Sequence, residues 1–501
     1  MSAHVVIIGG GIAGLAAMEQ LSAEAPALRI TLLEARQRVG GHIRTDRAAG
    51  CIMEAGPDVF LAAKPAAVAL CRKLGIADQI VETSAAAKGS LVMRRGRLVR
   101  VPDGMSGLVP ARIAPFLATR LLSPAGKLRV GLEYFLAARS SDEDESMEHF
   151  VVRRLGREMY DRLLEPLLSG IFAGDGRNLS IAAAFPQLRD QEQRHGGLLR
   201  GVLAGRRVRE QGGAPNRAPT GLVSLKRGLG DLVQALESLP ATPANGSVGT
   251  MIRRCARARR IERSGADEYR IVLTGGESIQ ASAVIIATPA FEAAPLLHGI
   301  DSMLSAVLGE IEYASTVTIS VALRSASVGT LPRGTGYIVP RAEGRSVLAC
   351  TFSSAKFEDR APSDRTLFRF FLGGAGRGDF VDRPDAELLS TVRSELRDVL
   401  GITAAPELVR INRLPRAMPQ YAVGHLGRMA TIDTRLAALP VIALAGAGYR
   451  GVGIPDCIRS GAAAADRVLT GLRNANQRIQ ADPSPTFSLS RNERASRSIC
   501  T

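Results

Sequence analysis

The sequence feature that most constrains this chain is a glycine-rich turn that joins a short apolar run to a helix near the N-terminus. The β-branched run 5–8 predicts a buried parallel strand, and residues 15–21 predict the helix that follows the turn. The turn has the pattern G-x-G-x-x-G, with its glycines at Gly9, Gly11 and Gly14. A second predicted strand, 29–33, ends at Glu34, twenty residues beyond the last of these glycines. This order of elements predicts a dinucleotide-binding fold.

Each position in this unit has a physical role in binding a dinucleotide. Gly9 permits the tight turn out of the strand, Gly11 lets the backbone approach a pyrophosphate, and Gly14 lets the helix pack closely on the sheet. The helix N-terminus, at residues 12–13, offers N–H groups and a positive dipole end to the phosphates. The carboxylate of Glu34 is placed to accept hydrogen bonds from ribose hydroxyls.

The residues after the second strand narrow the choice of cofactor. Residues 34–45 match E-x-x-x-R-x-G-G-x-x-x-T, in which Arg38 is a candidate for contact with phosphate and Gly40 and Gly41 bring backbone close to the cofactor. Residues 54–57 read E-A-G-P. Both segments resemble the extended fingerprint of the amine-oxidase-like flavoprotein superfamily, whose second segment passes the flavin ring. The resemblance implies FAD rather than NAD.

Three further stretches carry a closer resemblance. They are R-L-G-R-E at 154–158 with G-I-F-A-G-D at 170–175, then S-L-K-R-G-L at 224–229, then Y-R-G-V-G-I-P-D-C-I at 449–458. Together they resemble the oxygen-dependent protoporphyrinogen oxidase / coproporphyrinogen III oxidase family of haem biosynthesis. The resemblance extends over about residues 4–470.

This resemblance implies an FAD-dependent oxidase that converts a porphyrinogen, either protoporphyrinogen IX or coproporphyrinogen III, to the porphyrin. O2 is the acceptor and H2O2 the product. Flavin N5 accepts the hydride in this family, so no side chain is assigned a catalytic role. The absence of a Ser/His/Asp or paired-carboxylate signature in the sequence is consistent with that chemistry. No cysteine or histidine spacing fits a metal site, and no metal is predicted.

The resemblance also assigns site residues by position. The implied cofactor-binding residues are Gly9, Gly10, Gly11, Ile12, Ala13, Gly14, Glu34, Ala35, Arg38, Gly40, Gly41, His42, Gly56, Pro57, Asp58, Val59, Ala258, Ala447, Val452, Gly453 and Ile454. The implied substrate residues are Gly336, Ile338 and Phe371. The chain departs from the family at Ser90, where some members place an Arg that holds a propionate. Lys88, Arg94 and Arg95 are the nearby cations.

The predicted fold class is α/β, with a discontinuous Rossmann-like FAD-binding domain, a mixed-sheet substrate domain and a helical, membrane-facing or simply domain-closing insertion. The predicted segments are 1–83, 223–297 and 412–470 for FAD, 84–102 and 298–411 for substrate, 103–222 for the helices and 471–501 for a disordered tail. A chain of 501 residues is long enough for such a division.

Composition limits the partners and the compartment. The formal net charge of +16 fits a solvated basic surface, an anionic substrate or an anionic membrane surface; nucleic acid is not predicted, because no nucleic-acid motif accompanies the charge. The six cysteines lack paired spacing, and no signal peptide or run long enough to span a membrane is found. We therefore expect a cytoplasmic protein, with peripheral contact to the inner face of the membrane as one interpretation of the basic, apolar stretch 107–139. Monomer and homodimer are both compatible with these residues.

Two other functions are compatible with parts of the pattern. One is another oxidase or desaturase of the same fold, acting on amines or carotenoids; the absence of Trp disfavours the aromatic enclosure of an amine. The other is a flavin-free binding or escort protein, against which the intact glycines and Glu34 argue.

Overall fold

The computed structural model describes residues 3–106, 109–110, 112–211, 221–239, 249–265 and 268–481. Within these ranges the strands are β1 (His4–Ile8), β2 (Arg29–Leu33), β3 (Thr45–Ala48), β4 (Cys51–Glu54), β5 (Phe60–Leu61), β6 (Ile80–Glu82), β7 (Leu91–Arg94), β8 (Arg97–Arg100), β9 (Met105–Ser106), β10 (Val109–Pro110), β11 (Leu222–Leu225), β12 (Thr250–Arg253), β13 (Ala258–Arg263), β14 (Tyr269–Leu273), β15 (Ser278–Ala281), β16 (Ala283–Ile286), β17 (Tyr313–Arg324), β18 (Gly336–Ile338), β19 (Val347–Phe352), β20 (Arg365–Gly373), β21 (Leu408–Pro419) and β22 (Ile442–Leu444).

The helices of the same ranges lie between and after these strands. They are α1 (Ile12–Glu24), α2 (Pro65–Lys73), α3 (Ile113–Ala118), α4 (Pro124–Gly131), α5 (Met147–Leu155), α6 (Arg157–Met159), α7 (Glu165–Phe172), α8 (Ile181–Ala184), α9 (Pro186–His195), α10 (Leu198–Gln211), α11 (Gly230–Glu237), α12 (Ala290–Leu297), α13 (Ser302–Gly309), α14 (Ser353–Lys356), α15 (Asp385–Leu400), α16 (His425–Ala437) and α17 (Ile454–Ala481). One π-helical turn, Tyr160–Leu164, joins α6 to α7.

A five-stranded parallel sheet forms the first layer of the fold, in the order β12-β2-β1-β16-β22. Its strands are apolar on both faces because helices cover both sides. On one side α1, α11 and α17 share a core with Val5 and Ile7, and on the other α12, α13 and α16 share a core with Val6 and Ile8. The helices α1 and α17 cross closely, since a Cβ on Gly461 would lie 2.1 Å from the carbonyl oxygen of Ala13. Chain segments hundreds of residues apart thus build one sheet.

A seven-stranded sheet forms the second layer, in the order β21-β17-β20-β19-β18-β7-β8. All neighbours are antiparallel except β18 and β7, where Ile338 pairs with Val92. One face of this sheet is packed with aromatic side chains such as Phe368 and Phe370 against α15. The alternate residues, among them Arg369 and Ile338, lie on the opposite face, because side chains alternate along a strand.

The helical region has its own apolar core, formed by α3 to α10 with Val92 from the second sheet. A fully buried ion pair, Arg154 with Glu133, lies inside it. The Glu133 carboxylate also accepts the N–H groups of Leu198 and Leu199 at 2.7 and 2.9 Å, which fixes the start of α10. Such a buried pair is tolerated because nearly every polar atom has a partner.

Three predicted segment limits differ from the structure, while the division into domains otherwise stays a prediction. The strand β21 pairs with β17, so residues 412–419 lie in the second sheet and not with the FAD segments. The helix α13 belongs to the core of the first sheet, although 298–411 was predicted for the substrate domain. The helix α17 continues to Ala481, so the prediction of disorder is wrong for residues 471–481; residues 482–501 lie outside the described ranges.

Candidate active site

The predicted phosphate-binding turn is formed by Gly9 to Gly14 at the carboxyl end of β1. Gly9 has φ +110°, and a Cβ on Gly14 would lie 2.0 Å from the Gly9 carbonyl oxygen, so neither position tolerates a side chain. Gly11 precedes α1, which has no side-chain cap. A Cβ on Gly11 would meet no atom of the described residues within 4 Å, so space lies in front of the helix N-terminus. Ile12 and Ala13, also predicted for the cofactor, form the first turn of α1.

Glu34 ends β2 beside this turn. Its carboxylate accepts the N–H of Gly10 at 2.9 Å and the N–H of Arg36 at 2.8 Å. Each carboxylate oxygen keeps a second acceptor position for a ribose hydroxyl. Ala35 is exposed next to it, and the segment that leads to Ala258 is held alongside by the hydrogen bond from Ala256 N–H to the Glu34 carbonyl. Glu34, Ala35 and the segment that leads to Ala258 therefore lie side by side at the end of β2.

Arg38, predicted for contact with phosphate, donates to the backbone of the turn that follows it. Its Nη1 donates to the carbonyls of Val39 and Ile43, and its Nη2 donates to the carbonyl of Gly41 at 2.7 Å. The guanidinium thus holds the Gly40–Gly41 turn in place, and its Nε–H and one N–H of Nη2 remain for a phosphate.

The two motif segments after β2 meet at His42 and Gly56. A Cβ on Gly56 would lie 2.0 Å from the His42 carbonyl oxygen, and a Cβ on Gly41 would lie 3.2 Å from the Gly11 Cα. Burial, with further contributions from Arg36 and Arg38, lowers the pKa of His42 to about 4. The His42 imidazole is therefore neutral at neutral pH, and it lies where the glycine turn and the E-A-G-P segment come together.

A hydrogen-bonded junction explains the Thr and Glu of the motifs, which the sequence reasoning left without a role. The hydroxyl of Thr45 donates to Glu54 at 2.7 Å and accepts the N–H of Gly230 at 2.8 Å. Glu54 also accepts the N–H of Leu229 at 2.7 Å. Gly228 is required beside them, because it has φ +101° and a Cβ there would lie 2.4 Å from Thr45. The end of the S-L-K-R-G-L stretch is thus hydrogen-bonded to Thr45 and Glu54 of the two flavin motifs.

A buried charge cluster lies beneath the predicted flavin segment 56–59. Lys356 Nζ lies 2.8 Å from Asp58 Oδ2, and Arg369 Nη1 lies 3.9 Å from Asp58 Oδ1. Burial alone would raise the pKa of Asp58, but Lys356 and Arg369 outweigh it and hold the pKa at about 2. Arg369 Nη2 also donates to the carbonyls of Ala55 and Gly56. Pro57 and Val59 flank the aspartate in the same segment.

The predicted substrate residues lie on the face of the second sheet that points away from α15. Gly336 and Ile338 are on β18, and Phe371 is on β20 with the Arg369 guanidinium 4.6 Å from its ring. A Cβ on Gly170, in the G-I-F-A-G-D stretch, would lie 3.8 Å from Ile338 Cγ2. The helix α7 therefore covers this face of the sheet opposite Ile338.

The C-terminal glycine-rich segment lies between β22 and α17. It contains Ala447, Val452 and Gly453, and Ile454 is the first residue of α17. Val452 packs against the helical core. The N–H groups of Val452 and Gly453 have no acceptor among the described residues. A pair of donors at the start of a long helix suits an anionic or strongly polar group of a cofactor.

The described part of the chain holds no cluster of three or more His, Cys, Asp or Glu placed for a metal ion. Five of the six cysteines lie in the described ranges; Cys51, Cys71, Cys350 and Cys457 are buried and Cys255 is exposed, all as free thiols. Nor do the described ranges contain a helix with the length and apolarity needed to cross a membrane.

Residues 12–469 match the family of flavin containing amine oxidoreductases, and the chain belongs to that family. It is a flavin-dependent oxidoreductase, as the motifs predicted. The chain is similar to the coproporphyrinogen III oxidase of Bacillus subtilis (strain 168), with 35% identity over 94% of this chain and 98% of that protein. It is also similar to the chloroplastic protoporphyrinogen oxidase of Oryza sativa subsp. japonica, with 29% identity over 93% of this chain and 88% of that protein. The predicted resemblance to these oxidases is confirmed.

Solved structures confirm the fold. A crystal structure from Exiguobacterium sp. 255-15 superposes with a TM-score of 0.81 at 31% identity and covers 94% of this chain and 99% of that chain. A reduced UDP-galactopyranose mutase superposes with a TM-score of 0.68 at 16% identity, which shows the shared fold alone. The predicted α/β class with a flavin-binding domain is therefore correct.

Proposed function

We propose that this chain oxidises coproporphyrinogen III to coproporphyrin III, with FAD as cofactor and O2 as acceptor. The observation that carries the proposal is the similarity to three coproporphyrinogen III oxidases at 30–35% identity, each over 93–94% of this chain. Protoporphyrinogen IX is the alternative substrate, supported by plant and animal relatives at 28–31% identity. In either case six electrons and six protons leave the macrocycle, and three O2 become three H2O2.

The residues of the candidate site fit FAD. The glycine turn would take the pyrophosphate, Glu34 the ribose, and Val452 and Gly453 the pyrimidine edge of the ring system through their N–H groups. When bound, FAD would supply the hydride acceptor, and O2 would reoxidise the reduced flavin. The protein's own contribution is to bind and orient the macrocycle between α7 and the sheet face that carries Ile338 and Phe371.

The decisive experiment is aerobic turnover of both porphyrinogens by purified, FAD-loaded protein, followed by porphyrin fluorescence. We expect kcat/KM to be higher for coproporphyrinogen III than for protoporphyrinogen IX. Heat-denatured protein controls for spontaneous oxidation of the porphyrinogens. No enzymatic rate with either substrate would contradict the proposal, and oxidation of amines instead would favour an amine oxidase of the same fold.

Arg94 is our candidate for a substrate carboxylate, in place of the family cation that Ser90 replaces. It lies two residues after Val92 on the face that Ile338 shares, and no ion pair or hydrogen bond joins its guanidinium to a described residue. It lines a cavity of about 240 Å³ together with Arg95 and Arg162, and the carboxylates of Asp161 and Glu343 offset part of this positive charge. This volume suits one side arm of a macrocycle rather than the ring itself.

Replacing Arg94 by Gln tests this assignment. We expect the KM for coproporphyrinogen III to rise by about tenfold with little change in kcat, because a charged hydrogen bond is lost. Arg97→Gln, an exposed arginine of the same hairpin, is the matched control. Equal KM values for the two variants would contradict a role for Arg94.

We also propose a peripheral contact with an anionic membrane through an exposed apolar patch, defined by Ile113, Leu117, Leu128, Leu132 and Phe135. Ile113, Leu128 and Phe135 expose 73%, 67% and 75% of their surface. The exposed Arg112 and Arg120 border them. A surface of apolar side chains edged with arginines matches the requirements of an interfacial site.

Vesicle flotation tests the membrane contact. We expect binding to vesicles that contain phosphatidylglycerol and loss of binding in Leu128→Glu/Phe135→Glu, because a carboxylate resists entry into the interface. Met303→Glu, at a residue exposed by 54% outside the patch, is the control. Equal flotation of all three proteins, or none by the wild type, would sink this proposal.

A further inference from the structure

The loop 446–453, between β22 and α17, is held from one side by two aromatic residues, Tyr421 and His425. The Tyr421 hydroxyl donates to the Ala447 carbonyl at 2.5 Å and accepts the Gly451 N–H at 2.7 Å. His425 Nε2 lies 2.8 Å from the Tyr449 carbonyl oxygen. Three alternate positions of the loop, 447, 449 and 451, are thus bound by two side chains.

The two aromatic residues form one rigid unit. Their rings stack with centroids 4.2 Å apart and an interplanar angle of 16°. Both are buried, and burial raises the pKa of Tyr421 and lowers the pKa of His425. The phenol therefore stays neutral and keeps the single proton that it donates to Ala447. Because it uses its donor and an acceptor at the same time, its hydroxyl orientation is fixed.

The last residues of the loop keep two free donors. The N–H groups of Val452 and Gly453 have no acceptor in the described ranges, and α17 begins at the next residue. At the other end of the loop, the N–H of Gly446 donates to Ser460 Oγ at 3.1 Å. Gly451 has φ +127°, a conformation that the hydrogen bond to Tyr421 holds.

The same tyrosine is tied to the helical region through its backbone. Its carbonyl accepts the Ser180 N–H at 2.7 Å, and Val423 N–H donates to the Asn178 carbonyl at 2.9 Å. Asp144 also accepts the N–H of Gly424 at 3.1 Å. Tyr421 therefore connects the segment after G-I-F-A-G-D, which follows the helix over the substrate face, to the loop before α17.

We propose that Tyr421 is a positioning residue that orients the 446–453 loop so that the Val452 and Gly453 N–H groups stabilise the negative charge of reduced flavin. The inference rests on the proposed flavin site and not on the identity of the substrate. Tyr421 acts by holding the loop in place and does not contact the reacting atoms. Removal of the hydroxyl should weaken binding of reduced FAD more than binding of oxidised FAD.

Tyr421→Phe, measured in the full-length FAD-loaded protein, tests this role. We expect the ratio of the Kd values for reduced and oxidised FAD to rise about tenfold, which lowers the reduction potential of this two-electron couple by about 30 mV. The potential is read by dye equilibration in the absence of any porphyrinogen. Failure of porphyrinogen turnover would therefore leave this test intact. Tyr134→Phe, at an exposed tyrosine in the helical region, is the matched control.

A purely structural tyrosine would lower the melting temperature without moving the potential, and that result would overturn the proposal. His425→Gln keeps a donor for the Tyr449 carbonyl but removes the stacked ring, and it should lower the potential by a smaller amount. It carries the same test should Tyr421→Phe not fold. An unchanged potential in the folded variant would count against the proposal in the same way.

Discussion

Arg369 is a buried cation whose removal should destabilise the segment 55–58 of the candidate site. It reaches the carbonyls of Ala55 and Gly56 and the carboxylate of Asp58, and its Nε and Nη1 have no hydrogen-bond partner among the described residues. We expect Arg369→Met to lower the free energy of unfolding by about 3 kcal/mol, because it leaves the partly buried Asp58 carboxylate and the two carbonyls with one partner fewer. Urea unfolding measures the change.

The control for Arg369 is Arg410→Met on β21. Arg410 is exposed, and among the described residues it donates only to the carbonyl of its neighbour Val409. Its removal should therefore change the free energy of unfolding by less than about 0.5 kcal/mol. An equal loss of unfolding free energy in both variants would contradict a stabilising role for the buried contacts of Arg369.

His42 should make stability depend on pH between about 4 and 6.5. Its pKa is lowered to about 4 in the folded protein, by burial first and then by Arg36 and Arg38, from an ordinary value of 6.5. As the pH falls through this window the unfolded chain takes up a proton that the folded chain does not, so stability is lost. We expect the wild type to lose about 3 kcal/mol more than His42→Gln between pH 6.5 and pH 4. Parallel unfolding curves at all pH values would refute it.

At the junction of β1 and α1, one glycine is required for folding and another for cofactor binding. A Cβ on Gly14 would meet the Gly9 carbonyl at 2.0 Å, whereas a Cβ on Gly11 would meet no atom within 4 Å. We expect Gly14→Ala to destabilise the FAD-free protein by about 2 kcal/mol, because strand and helix must move apart. Gly11→Ala should melt like the wild type without FAD but bind FAD more weakly, since its methyl occupies the space in front of the helix.

Thermal melting of the FAD-free proteins, with FAD titration followed by flavin fluorescence, compares these two variants. The prediction is contradicted if Gly11→Ala binds FAD as the wild type does. Equal melting temperatures for Gly14→Ala and the wild type would contradict the other half.

The elements show what sequence patterns can and cannot supply. The strands β1 and β2 follow from short apolar runs, and the glycine turn follows from chemistry that only glycine permits. The partners of Asp58 do not follow, because Lys356 lies 298 residues away and no local pattern connects the two. The hydrogen bonds from Arg38 to the turn do not follow either, because the carbonyls that accept them are placed by the turn itself. Pairing of β21 with the second sheet depends on long-range register, which periodicity does not encode.

For the whole molecule, the contact between α1 and α17 joins the two ends of the described chain. A Cβ on Gly461 would lie 2.1 Å from the Ala13 carbonyl, so Gly461→Ala should lower the free energy of unfolding by about 2–3 kcal/mol through overpacking. Gly427→Ala in α16, where a Cβ meets no atom within 4 Å, should instead be neutral or stabilising. Chemical unfolding compares the two variants. Similar losses of unfolding free energy would show that α1 and α17 can move apart to accommodate a methyl group.

The parallel order β12-β2-β1-β16-β22 has a consequence during synthesis. The first strand leaves the ribosome early, but its sheet lacks its edge strand until Ile442–Leu444 has been made, and α1 lacks its partner until α17 follows. At about 5–20 residues per second the nascent chain spends on the order of half a minute or more with the surface of α1 that packs on α17 uncovered. Holdase chaperones should therefore associate with nascent chains of this protein until the last helix has emerged and docked.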